Sequence, residues 1–152
     1  MAADGPGLEG GSLELPADMD HWDDLFGFVQ SEAETHLQGN AKQYGLILAC
    51  EELLSNIIRY NPPEAPDGQP MTIRVESSIA EEEQRLFRLK ISYNGAPFDP
   101  RFETLSTSVD DTAIESRKIG GLGLFLIKNS VDQVTYQFSV DRNLYTVDTQ
   151  LA

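Results

Sequence analysis

The stretch Lys118-Ile119-Gly120-Gly121-Leu122-Gly123-Leu124-Phe125-Leu126-Ile127 sets three glycines immediately before a run of helix-forming apolar residues. Glycines allow positive φ and let main-chain N–H groups come close to a ligand. The first turn of the helix that follows adds unpaired donors and the positive end of its dipole. Phosphate is the ligand such a loop suits best. The same pattern also serves plain loops that pack a helix on a sheet, so the functional reading depends on what the rest of the chain supplies.

A second stretch supplies it. Ala41 to Tyr60 follows the helical period, with Leu46, Leu53 and Ile57 on one flank and Ile47, Leu54 and Ile58 beside it, a stripe wide enough to pack on a sheet. Glu52 and Asn56 are four residues apart and therefore neighbours on one face, which Arg59 and Tyr60 extend. A carboxylate and a carboxamide meeting there can bind a hard cation through oxygen or hold a water, although the pair is also common on exposed helices. Asn61-Pro62-Pro63 stops this helix and opens a loop that runs to Gly68.

The remaining segments are expected to form a sheet and two further helices. Residues 1–11 are small, Gly-rich and acidic and read as a flexible tail, leaving residues 12–152 as one domain. Ser12 to Leu15 fits a short edge strand, and the spacing of Trp22, Leu25, Phe26, Val29, Ala33 and Leu37 predicts a helix from Met19 to Leu37. Period-two alternation marks strands at Met71 to Ser77 and Leu86 to Tyr93, paired across Glu81-Glu82-Glu83, and again at Val134 to Val140 and Leu144 to Leu151, turned at Asp141-Arg142-Asn143. Between them lie a glycine turn at Asn94 to Pro100 and an aperiodic segment from Arg101 to Lys118, of the length and polarity of a lid. A helix from Gly121 to Asp132 completes the pattern. The expected fold class is α+β: a two-layer α/β sandwich with a mixed, mainly antiparallel sheet and its helices on one face.

Composition narrows the partners. The 152 residues carry 25 acidic and 11 basic side chains, a formal net charge of -14, which repels nucleic acid and anionic lipid and favours cationic or metal-bridged partners, solubility being the plainer explanation. No apolar run is long enough for a membrane span. The lone Cys50 excludes an internal disulfide, and with no basic or apolar leader at the N-terminus the expected location is the cytoplasm. His21 and His36 have no nearby Cys or His to make a ligand set, so surface or structural roles are expected for both.

Three separated segments, in order, resemble one family: the small histidine-kinase-like ATPases of the anti-sigma factor serine kinase type, members of the Bergerat-fold superfamily. Glu51-Glu52-Leu53-Leu54-Ser55-Asn56-Ile57-Ile58-Arg59-Tyr60 is similar to its N box, Tyr93-Asn94-Gly95-Ala96-Pro97-Phe98-Asp99-Pro100 to its adenine-binding box, and Gly120-Gly121-Leu122-Gly123-Leu124 to its phosphate-contacting glycine box. The resemblance implies ATP and Mg²⁺ as cofactors. It makes Glu52 the general base and Asn56 the Mg²⁺ ligand, and it places Tyr93, Gly95, Gly120, Gly121, Leu122, Gly123 and Leu124 around the nucleotide. It also implies a serine/threonine kinase acting on a small regulatory protein of the anti-sigma-factor antagonist type, with a sigma factor as a further partner; homodimerisation stays open. The chain departs from the pattern at Tyr93, where the family usually has an adenine-binding aspartate, and at Tyr60, where many relatives have histidine. The alternative reading is a degenerate member that keeps the fold as a partner-binding module.

Overall fold

The computed structural model describes residues 11–102 and 121–151, and of residues 121 and 122 the backbone alone. The ten tail residues before Gly11 and most of the lid segment, residues 103–118, therefore lie outside the described residues, as do Ile119, Gly120 and Ala152. Gly11, assigned above to the tail, belongs instead to the sheet edge. Its amide donates to Ser77 Oγ at 3.0 Å and its carbonyl accepts from the Ser77 amide at 2.9 Å.

Five strands form one sheet: β1 (Ser12–Pro16), β2 (Thr72–Glu81), β3 (Arg85–Tyr93), β4 (Gln133–Ser139) and β5 (Arg142–Gln150), in the spatial order β1-β2-β3-β5-β4. Every ladder among the described residues is antiparallel, in keeping with the mainly antiparallel sheet expected. Register puts the apolar set on one face. Val75 pairs Ile91, Ile91 pairs Tyr145, and Leu89 pairs Val147, all buried. The opposite face carries Arg74, Arg88 and Asp148, with Arg88 donating to both Asp148 oxygens at 2.8 and 2.9 Å. That paired carboxylate holds the Arg88 pKa above its ordinary value.

The helices α1 (Trp22–Leu37), α2 (Gln43–Tyr60) and α3 (Gly121–Ser130) supply the second layer. Leu25, Val29, Ala33 and Leu37 of α1 join Leu46, Leu53, Leu54 and Ile57 of α2 and the inward strand residues in one core. Each such aliphatic side chain contributes roughly 1.5–3 kcal/mol on burial. The helix starts fall later than the periodicity predicts, because side chains cap the chain first. Asp18 accepts from the His21 amide at 3.1 Å over a short 3₁₀ turn (Met19–His21), and Asn40 Oδ1 accepts from the Lys42 amide at 2.8 Å. The helix pair connects β1 to β2; α3 leads into the β4–β5 hairpin, which places β5 beside β3.

Two turns differ from expectation. β2 runs on to Glu81, so its hairpin turns at residues 82–84, closed by the Arg85–Glu81 pair at 2.8 Å. The second hairpin turns at Val140 and Asp141, with φ of 50° and 60°, and not at Asp141-Arg142-Asn143. Positive φ at both central residues is the geometry whose twist matches a two-residue hairpin. The shift moves Arg142 and Asn143 out of the turn and into β5.

Candidate functional site

Where α2, α3 and the end of β3 meet, the chain encloses a cavity of about 500 Å³. The i, i+4 spacing on α2 puts Asn56 on the cavity wall and Glu52 one turn back, facing α3. There Gly123, the third residue of α3, lies so close that a Cβ on it would stand 2.5 Å from Glu52 Oε1 and 3.6 Å from Asn56 Nδ2. The glycine is thus a cradle for the carboxylate, and only a residue without a side chain keeps it there. Asn56 and Leu124 both line the cavity. Gly121 begins α3, whose first turn has backbone N–H groups with no partner inside the helix.

The opposite end is aromatic. Tyr93 is 2% exposed; its ring stacks on Tyr145 with centroids 6.4 Å apart, and Tyr136 and Phe102 pack around Tyr145. Burial pushes the pKa values of the Tyr93 and Tyr145 hydroxyls up, so both groups are neutral across the physiological range. Asn61, just past α2, donates to the Ile57 carbonyl at 2.9 Å and faces Gly95, where a Cβ would stand 2.9 Å from its Oδ1 and equally close to the Tyr93 ring. Tyr60 and Phe98, at 56% and 50% exposed, stand on the cavity's rim. The Arg59 guanidinium lies 5.5 Å from the Tyr60 ring centre.

The loop that carries Gly95 and Phe98 is held from beneath by Asn143, a fully buried side chain at the start of β5. Its Nδ2 donates to the Gly95 and Ala96 carbonyls at 3.0 and 3.1 Å. Its Oδ1 accepts from the Phe98 amide at 3.0 Å and from the Tyr136 hydroxyl at 2.5 Å. All four bonding positions of the carboxamide are used. Asn94 does similar work at the loop's start, accepting from the Thr72 amide at 2.9 Å and donating to the Pro70 carbonyl at 3.0 Å. The β3 terminus and the proline-rich loop after α2 are thereby one rigid wall.

Of the residues singled out from sequence, Asn56, Tyr93 and Leu124 line this cavity, Glu52 and Gly123 adjoin each other next to Asn56, and Gly95 adjoins Tyr93, while Gly120 lies outside the described residues and Gly121 and Leu122 are placed by their backbone alone. Asn61, Tyr136, Asn143 and Tyr145 escaped the sequence reading. The signal for Asn61 was its place directly after the helix; Asn143 was hidden by the misplaced turn. Among the described residues no group of three or more His, Cys, Asp or Glu could hold a metal ion, and no helix is long and apolar enough to cross a membrane. His21 pairs with Asp18 and His36 stacks on Phe87, both structural roles as expected.

An antiparallel sheet covered on one face by helices, with a glycine-bearing helix start set against an acid and an asparagine beside a cavity, defines an α+β sandwich. A family model of the histidine kinase-like ATPase domain matches residues 15–147, and the chain belongs to that family. No curated protein matches it.

Proposed function

We propose that the protein is an ATP-dependent serine/threonine protein kinase that phosphorylates a small regulatory protein, in the manner of an anti-sigma regulatory factor in a partner-switching circuit. The observation that supports it is the approach of Glu52 and Asn56 to Gly123, which puts a carboxylate and a carboxamide beside the start of α3, with Asn56 on the cavity wall. In this reading the α3 start holds the phosphates through backbone N–H groups and its dipole. Glu52 accepts the proton from the substrate hydroxyl, and the rigid wall ending at Phe98 orients the nucleotide.

Mg²⁺ fits the donor set. Magnesium takes oxygen ligands, usually one or two from the protein with the rest from phosphate and water, and the Asn56 carboxamide would supply the protein ligand beside Gly123, leaving Glu52 free as the base. When bound, the ion neutralises charge on the phosphates. The chain's own residues do the rest: Asn56 orients, Glu52 takes the proton, and Leu53, Ile57 and Leu124 keep water from the inner wall.

Tyr93 supports a second reading, a partner-binding module with weak or no nucleotide binding, because no described residue lining the cavity is a charged acceptor. Titration with Mg²⁺-ATP, followed by phosphate transfer to candidate partner proteins, separates the two. The kinase reading expects binding and a Glu52→Gln variant that still binds but transfers at least about 10²-fold more slowly. Transfer that survives Glu52→Gln intact defeats it.

A further inference from the structure

The cavity's aromatic end grips a flat ring without reading its edge. We infer that this site, taken as the nucleotide site proposed above, holds the base by stacking on Tyr60 and Phe98 and therefore accepts adenine and guanine nucleotides with similar affinity. Three observations carry this inference. First, none of the described residues lining the cavity is an aspartate, glutamate, lysine or arginine. A charged acceptor or donor is what makes a pocket choose sharply between purine edges, because a charge-assisted hydrogen bond is about twice as strong as a neutral one.

Second, the polar groups that are present are neutral and can serve both purines. Asn61 offers its Oδ1 as acceptor while its Nδ2 is committed to the Ile57 carbonyl. The Tyr93 hydroxyl, held neutral by burial, interacts with the Tyr145 hydroxyl and the Asn61 side chain and brings no charge to the wall. Adenine presents an amine donor beside a ring acceptor; guanine presents a carbonyl acceptor beside two donors. A wall of hydroxyl and carboxamide pairs with either, and a neutral hydrogen bond distinguishes the two by no more than about tenfold.

Third, the two rim aromatics are half exposed, while the inner ones are locked in the core. Tyr60 and Phe98 are 56% and 50% exposed, with the Arg59 guanidinium over one face of the Tyr60 ring; Tyr93 and Tyr145 are 2% and 4% exposed and stacked on each other. The Phe98 amide is fixed by Asn143 Oδ1 and by the Tyr136 hydroxyl at 3.2 Å, so the residue that carries the ring is preorganised. Stacking on an aromatic face contributes on the order of tenfold to a hundredfold per base and tolerates any base with a π-face; the larger purine ring system gains more than a pyrimidine.

The test is a set of binding titrations on the full chain with ATP, GTP, CTP and inorganic triphosphate, each with Mg²⁺, repeated with Tyr60→Ala and Phe98→Ala. Because both rings are largely outside the core, neither substitution threatens the fold, and a melting curve for each variant verifies that. The expected result is ATP and GTP within about tenfold of each other, CTP weaker than both, and at least about a tenfold loss for both purines in Phe98→Ala with inorganic triphosphate unaffected. A preference for ATP over GTP above about fiftyfold, or purine affinities unmoved in both variants, overturns this inference and leaves the kinase reading standing. If neither the nucleotides nor inorganic triphosphate binds, the nucleotide reading falls and this inference falls with it.

Discussion

Alanine at Gly123 should separate the chemistry of the site from its stability. A Cβ there meets Glu52 Oε1 at 2.5 Å, about 1 Å inside ordinary van der Waals contact, while Asn56 Nδ2 at 3.6 Å needs no adjustment. The atom in the way is the far end of a flexible side chain, so Glu52 can swing aside at about 0.5–1.5 kcal/mol of rotamer strain. Replacing a helical glycine by alanine returns about 0.5–1 kcal/mol. The two nearly cancel, and the melting temperature should stay within about 4 °C of the parent's. Phosphate transfer should not survive so lightly. A misplacement of roughly 1 Å in a catalytic group costs about 10²-fold, so the Gly123→Ala rate should fall to about that extent with nucleotide affinity changed only a few-fold. Differential scanning fluorimetry, a nucleotide titration and a transfer assay on one preparation read all three quantities. Full transfer activity in Gly123→Ala would show that Glu52 is not the proton acceptor; a melting temperature lower by more than about 10 °C would show that the Glu52 side chain has nowhere to go.

Gly45→Ala should behave in the opposite way, because its Cβ would collide with the backbone carbonyl of Ser130, which cannot rotate aside; a loss of about 1–3 kcal/mol in urea unfolding is expected. Val140→Asn should stabilise by about 1 kcal/mol, since a β-branched residue at φ 50° and 89% exposure gains nothing from packing while asparagine tolerates that region, and a melting curve checks it. Asn143→Ala should cost about 2–4 kcal/mol by leaving the Gly95 and Ala96 carbonyls and the Phe98 amide without their partner, and urea unfolding measures it alongside the loss of nucleotide affinity. Cys50, fully buried with its thiol pKa pushed up to about 12, should resist alkylation at pH 8 in the folded protein and react promptly in urea; rapid labelling of the native chain would contradict its burial.

The layers of the fold were legible because each element's burial is periodic. Leu25, Val29, Ala33 and Leu37 mark one face of α1, and Phe87, Leu89 and Ile91 mark one face of β3, so local pattern and global packing agree. Glu52 and Asn56 were legible for the same reason: a helix makes residues four apart into neighbours. What sequence did not reveal was the contact between elements distant in the chain. Gly123 was read as a loop glycine facing phosphate, whereas its α-carbon also faces the Glu52 carboxylate across the α2–α3 crossing. The turn before β5 was misplaced because Val140-Asp141 lacks the glycine or asparagine that normally announces positive φ. That displacement of one turn put Asn143 on the surface in the sequence reading and in the core of the site in the structure.

Gly45 and Gly123 explain together why the site sits where it does. Gly45, near the start of α2, abuts Ser130 at the end of α3, and Gly123, near the start of α3, abuts Glu52 further along α2, so the two helices run antiparallel in close contact over their shared length. A side chain at either glycine would push the axes apart, since interaxial distance follows the size of the residues at the contact. Close approach brings the start of α3, with its unpaired amides, to the same face as Glu52 and Asn56; at ordinary helix spacing the acid and the amides would face a gap filled by water. The helix–helix contact is therefore part of the site's geometry, and the two glycines have different tolerances within it: at 45 the obstacle is backbone and the fold yields, at 123 the obstacle is the functional carboxylate and the chemistry yields.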